Sequence, residues 1–159
     1  VTDAREQWAA APAAALDVQG VEVRTGSWEA LRAQAGAVRF AVFVGEQGVP
    51  AEIELDDNDA ASVHALALDR EGRALGTGRL LPDGRIGRMA VLPAARGRGV
   101  GARILGALIE AAQARGDAEL LLHAQTSAIG FYRRHGFTPV GAVYQEAGIA
   151  HQTMVRRLG

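Results

Sequence analysis

Arg96-Gly97-Arg98-Gly99-Val100-Gly101 stands between a short apolar segment, residues 86–91, and an amphipathic one, residues 104–114. Glycines lack a Cβ, so backbone N–H groups there can approach a ligand closely. The first turn of a following helix leaves its own N–H groups unpaired, at the positive end of its dipole. Strand, glycine turn and helix start together make an anion site, and phosphate is the usual anion. Arg96 and Arg98 add forked donors that suit phosphate oxygens. A Walker-type loop is excluded, because it needs a lysine after its last glycine and this chain has none. A dinucleotide fingerprint is formally present in Gly97-Arg98-Gly99-Val100-Gly101-Ala102, with Glu119 further along. It is set aside because residues 92–96 separate its glycines from the strand and too little chain follows to complete a doubly wound domain. The plain alternative is an ordinary strand-to-helix turn.

Residues able to move a proton lie elsewhere. Tyr132 carries a phenol, protonated at neutral pH because its pKa is near ~10, so it can donate to a departing anion. It also reads as a half-buried aromatic on an amphipathic helix. Residues 44–62 form the least regular stretch and hold six acids, Glu46, Glu52, Glu54, Asp56, Asp57 and Asp59. Glu46, Glu54, Asp56, His64 and His123 are the candidate bases. Asp57 and Asp59 equally suit turns and caps, and His64 equally suits a strand position bonded to the acidic loop. His123 falls at the C-terminal end of its strand, and His151 either lines a pocket or fixes the last turn. The histidines lack ligand spacing, so no metal is expected. Cysteine is absent and no Ser–His pairing is evident, so no acyl-enzyme is expected.

The elements that must position these residues follow from pattern. Residues 21–24 alternate as a strand. Ser27 is a plausible N-cap for a helix running to about Phe43, with apolar residues at Trp28, Leu31, Ala35, Val38 and Val42. A short helix is expected near residues 45–49, with loop beyond Pro50. Residues 64–69, 74–81 and 85–91 read as an antiparallel meander, punctuated at 70–73 and 82–84. Residues 100–115 form the long helix, stopped by Gly116. Residues 120–122 form a strand parallel to the one before the glycine loop. Residues 126–135 form a short helix capped by Thr126 or Ser127. Residues 139–144 and 152–157 are the last strands, joined by 146–151.

With these residues in order, the chain resembles the GCN5-related N-acetyltransferases (GNAT). Arg96-Gly97-Arg98-Gly99-Val100-Gly101 matches that family's R/Q-x-x-G-x-G/A pyrophosphate signature. Met89 to Pro93 looks like its fourth strand, and Tyr132-Arg133-Arg134-His135-Gly136-Phe137 like its later Y-x-x-x-G-F. The acidic stretch around Val42–Asp56 and the closing Glu146-Ala147-Gly148-Ile149-Ala150-His151-Gln152-Thr153-Met154 resemble an ElaA/YjcF-like subgroup. The resemblance implies an α/β (α+β) fold with a mixed, mostly antiparallel sheet of six to seven strands, flanking helices and a splayed central parallel pair. It implies that acetyl-CoA is the co-substrate, held by Arg96, Gly97, Arg98, Gly99, Val100 and Gly101. The pantetheine arm would pair with Met89, Ala90 and Val91, with a backbone N–H of that strand stabilising the oxyanion. Tyr132 takes the acid role, and also lies against the cofactor. Gln125 occupies a position where many members have Asn, which keeps the amide but lengthens its reach. Glu54 and His123 are carried as catalytic candidates beside Tyr132. Dimers are common in the family, so a homodimer is an expectation.

Composition bounds the rest. The chain has 159 residues, enough for one domain at residues 20–159 after an N-terminal extension at 1–19. A net charge of −1 argues against a nucleic-acid partner. No apolar run of about eighteen residues exists, so no membrane span is expected. Asp3, Glu6 and Pro12 speak against a secretory leader, and a cytoplasmic location is expected. The function expected is direct acetyl transfer to a primary amine of a small molecule or peptide. A non-catalytic acyl-CoA-binding sensor is the alternative.

Overall fold

The structure, a computed structural model, describes residues 20–159. The extension expected at 1–19 lies outside the described residues. Seven strands form one sheet in the order β1-β2-β3-β4-β5-β7-β6. They are β1 Glu22–Gly26, β2 Val63–Leu68, β3 Ala74–Leu80, β4 Arg85–Val91, β5 Glu119–Gln125, β6 Thr138–Glu146 and β7 Ile149–Arg157. Every neighbouring pair is antiparallel except β4 and β5. The expected α+β class, strand number and central parallel pair are all present.

One face of the sheet is covered by α3, Val100–Arg115. Its Ile104, Leu105, Leu108 and Ala112 recur at helical spacing and are buried against Leu75, Leu80, Ile86, Leu120 and Leu122. Gly116, at φ 86°, ends it in the left-handed region, as its position in the sequence predicts. The other face is covered by α1, Trp28–Arg39, whose Ser27 side chain accepts from the Ala30 N–H. Its Ala35 and Val38 bury against Leu66, Leu68, Ala90 and Leu92.

Four local expectations differ. The first helix does not stop at Phe43. After Arg39 it widens into a π-helical segment, Phe40–Glu46, closed by Gln47 N–H donating to the Val42 carbonyl at 3.0 Å. Such widening bulges side chains off the helical register and is frequent at functional sites. The short helix expected at 45–49 is instead α2, Ala51–Glu54, entered through Pro50. The last two strands are joined by only Ala147-Gly148, at φ 51° and 76°, where a six-residue connection was expected. Two successive positive φ values describe a tight type I′ hairpin, and an alanine in the first position hides that turn from sequence patterns. Residues 126–135 also split into a 3-10 turn, Thr126–Ala128, and α4, Ile129–Arg134, with no side-chain cap from Thr126 or Ser127.

Candidate active site

The site begins where β4 and β5 part. Pairing between them is confined to Arg85 with Leu121 and Ile86 with Leu122, although both strands continue. A bulge on β4 contributes to the split. Thr77 faces Ala90 and Arg79 faces Gly87, so β3 spends fewer residues than β4 over the same span. Arg88, inside the bulge, sits at φ 49°. Beyond it, Met89, Ala90 and Val91 lie across a gap from His123 and Gln125, and their edge groups on that side have no ladder partner in β5. The gap opens into a cleft of about 710 Å³, lined by Met89, Ala90, Val91, His123, Gln125, Tyr132 and His151 among others.

At one end of this gap the chain leaves β4 through a 3-10 turn, Pro93–Ala95, and reaches the glycine loop. Gly97 (φ 74°) and Gly99 (φ 82°) are both left-handed, and a Cβ on either would meet nothing within 4 Å. Backbone conformation therefore favours glycine there, and the space beside it is open. Gly101 is different, since a Cβ would only touch Phe131 and Val91 at 3.6 and 3.7 Å. No side chain caps α3, so the N–H groups of its first turn face outward unpaired. Arg98 and Gly99 are exposed. Arg96 Nε donates to the Val91 carbonyl at 2.9 Å, and its Nη1 and Nη2 bind the Glu46 carboxylate at 2.7 and 2.5 Å. Hydrogen bonding to Arg96 holds Glu46 below the usual carboxylate range.

Tyr132 lines the cleft from α4, with its ring edge-on to Phe131 and Phe137 at 5.1 and 5.9 Å. Burial pushes its pKa up to about 12. No described residue hydrogen-bonds its hydroxyl, and that oxygen is not sealed from solvent. Gln125 exchanges amide hydrogen bonds of 2.9 and 3.3 Å with Gln47, which ties the π-helical segment to β5 across the cleft.

The sequence candidates for the base are separated by the structure. Glu54 is buried, and its Oε1 accepts from Arg39 Nε at 2.5 Å. Asp59 is bound by Arg39 and by Arg79 Nη1, at 2.7 and 2.8 Å. Burial alone would raise Asp59, but the two guanidiniums take it below its ordinary value. Hydrogen bonding to Arg79 lowers Asp56 to about 2, with smaller help from Arg88. Arg88 also donates to the Glu54 and Ile53 carbonyls. His64 is sealed under this network. Its Nε2 lies 2.9 Å from the Asp59 carbonyl, its ring tilts against Trp28, and burial lowers its pKa so that it is neutral. His123 is exposed in the cleft, with Nδ1 hydrogen-bonded to the Tyr144 hydroxyl.

Arg39, Arg79 and Arg88 escaped sequence reasoning, as did Gln47 and Tyr144. The signal for the arginines was present, because six acids without a basic residue in one segment need cations from elsewhere. Arg39 continues the apolar stripe of α1 and Arg79 interrupts an apolar strand, the two places where a buried charge fits. Among the described residues no cluster of potential metal ligands exists, and no described helix is long and apolar enough to cross a membrane.

Comparison with known proteins agrees with this geometry. Residues 29–158 match the family model described as an acetyltransferase (GNAT) domain. An uncharacterized N-acetyltransferase YjcF of Bacillus subtilis is 40% identical over 123 residues, covering 75% of this chain and 87% of YjcF. Protein ElaA of Escherichia coli is 34% identical over 128 residues, covering 76% and 84%. The crystal structure of a putative N-acetyltransferase from Lactobacillus plantarum superposes with a TM-score of 0.79 at 32% identity, covering 87% of this chain and 98% of that one. The splayed strands, the glycine turn and these relatives agree: the chain belongs to the GNAT acetyltransferase family and is an acyltransferase.

Proposed function

We propose that the protein moves an acetyl group directly from acetyl-CoA to a primary amine of a small molecule or peptide, within residues 20–159. The observation that carries the reading is the conjunction at the end of β4. A parallel pair hydrogen-bonded at one end only runs into a glycine turn whose helix has no side-chain cap. An extended pantetheine arm can pair with Met89–Val91 in place of β5, and the diphosphate then meets the N–H groups at Gly99, Val100 and Gly101. Arg98 is free to bind phosphate, and Arg96 can exchange one Glu46 contact for another anion. The donors fit a diphosphate because the space beside Gly97 and Gly99 is open.

In this reading an N–H of the Met89–Val91 segment stabilises the oxyanion as the amine adds to the thioester. Tyr132 donates its proton to the departing thiolate. Titration calorimetry with acetyl-CoA, followed by thiol release with small amines, lysine peptides and aminoglycosides, tests the proposal. Expected are saturable binding and release that depends on an amine. No heat of binding would sink the reading. Binding without release on any amine would reduce the protein to an acyl-CoA-binding module.

A further inference from the structure

We infer that His151 is the group that takes the proton from the acceptor's ammonium, through Nε2, and that Ile149 and Glu146 hold it in that role. The inference rests on the acetyl-transfer reading above and adds the residue that the sequence left open.

The lone pairs of the two ring nitrogens decide the role. His151 sits on β7, opposite Gln125 of β5 and Tyr144 of β6, and its ring lines the cleft. Its Nδ1 lies 2.7 Å from the carbonyl oxygen of Ile149. A carbonyl has no hydrogen to give, so Nδ1 must carry the proton in that contact. The neutral ring then keeps its lone pair on Nε2. That nitrogen hydrogen-bonds to no described residue and is not sealed from solvent. Glu146 Oε2 stands 3.7 Å from it, ready to stabilise the imidazolium that proton uptake creates. The Tyr144 ring stacks on the imidazole at 6.1 Å and 21°, which fixes its plane. The tight Ala147-Gly148 turn brings Glu146 and Ile149 to the same ring.

The rival groups each have a partner of their own. His123 Nδ1 meets the Tyr144 hydroxyl. A phenol is the stronger donor of the two, and when it donates the neutral imidazole keeps its hydrogen on Nε2, with no lone pair for the cleft. Glu46, Glu54 and Asp56 are bound to Arg96, Arg39 and Arg79. His64 donates to a backbone carbonyl beneath the acidic loop. The charged and titratable groups around His151 are Glu146 and Tyr144 from β6, His123 from β5, and Arg88 and Glu54 across the adjoining side pocket.

The step balances. An alkylammonium gives one proton to Nε2, and the freed nitrogen pair forms the N–C bond to the thioester carbon. The C–S bond breaks, the thiolate takes the Tyr132 proton, and the second nitrogen proton restores Tyr132. His151 later releases its proton to water. The acceptor class is therefore an amine that is cationic at neutral pH.

The test uses the full chain labelled with ¹⁵N-histidine. Long-range proton–nitrogen spectra should show the neutral His151 ring protonated at Nδ1; an Nε2–H tautomer would overturn the inference. His151→Asn keeps a donor near the Ile149 carbonyl and deletes Nε2. With acetyl-CoA and phenethylamine, lysine peptides or kanamycin, this variant should bind acetyl-CoA as the wild type does. It should lose on the order of 10²-fold in kcat/KM at neutral pH and lose the acidic limb of the pH profile. Glu146→Gln should lower kcat/KM while acetyl-CoA affinity stays as in the wild type. An unchanged limb in His151→Asn with acetyl-CoA binding retained would sink the role of His151 alone. Failure of the wild type to bind acetyl-CoA would sink the transfer reading itself, and the tautomer result would stand apart from it.

Discussion

In the proposed transfer Tyr132 is the acid, and burial alone keeps it protonated. Its phenol is raised to about 12 by desolvation, so it stays protonated through any pH at which the protein works. Tyr132→Phe should therefore lower kcat by about 10²-fold or more while acetyl-CoA affinity, read by calorimetry, stays within about twofold. The pH–rate profile should show no loss assignable to Tyr132 below about pH 11, because the folded pKa is about 12. Gly99 is the matching test at the anion site. At φ 82° it tolerates Asn or Asp better than other side chains, so both variants should fold. Asp differs from Asn by one negative charge aimed at the proposed diphosphate. Gly99→Asp should bind acetyl-CoA at least about 10-fold more weakly than Gly99→Asn, since a like charge at such contact costs more than ~1 kcal/mol. Equal affinities would remove the anion site from this loop.

Among elements, the acidic segment between α2 and β2 is the part whose order depends on charge. Arg39 is fully buried beneath it and holds both Glu54 and Asp59, while Arg79 and Arg88 clamp Asp56. Together they close one wall of the cleft. Removing a single member leaves buried charges uncompensated, which is far worse than never burying the group. Arg39→Gln should cost about 3–5 kcal/mol in urea unfolding, with the m-value kept. A cost under about 1 kcal/mol would mean that the segment relaxes into water without its cation. The element's pattern was partly legible. Six acids in one irregular stretch suggested function, and the structure instead uses Glu54, Asp56 and Asp59 as partners of arginines. The turn propensity of those Asp residues does not reveal which cations they meet, because Arg39 and Arg79 reach Asp59 from 20 residues away in each direction.

For the molecule as a whole, the same charges set the response to acid. His64 is neutral when folded, with its pKa lowered by burial, so its contribution is complete above about 6.5 and shrinks as pH falls below that. Asp56 has a folded pKa of about 2 against an ordinary 3.8, so its contribution is present above the latter value and is lost as pH falls through the former. Stability should therefore decline gently below pH 6.5 and steeply between about 4 and about 2. Asp56→Asn should flatten the steep part, with about 2 kcal/mol less stability at neutral pH. Denaturant titrations across that range would show it, and a variant with an unchanged acid slope would refute the assignment to Asp56.

The fold was legible because it is written in local periodicity. The Ile104, Leu105, Leu108 and Ala112 face, the Ser27 cap, the Gly116 stop and the order of the strands each follow from residues close in sequence. The glycine loop was legible for the same reason, since left-handed backbone favours glycine, whereas the left-handed Ala147 left no such mark. Hydrogen-bond partners across the sheet were beyond that reach. The hydrogen bonding of Glu46, Glu54, Asp56, His64, His123 and His151 depends on Arg39, Arg79, Arg96, Tyr144 and the carbonyls of Asp59 and Ile149. Five of those six partners come from other segments of the chain, and Ile149 shares its strand with His151. Sequence determined a strand, a glycine turn and a long helix in succession. Only the tertiary structure decided which polar groups face the cleft uncommitted, because satisfaction of buried charge is a property of contacts between distant segments.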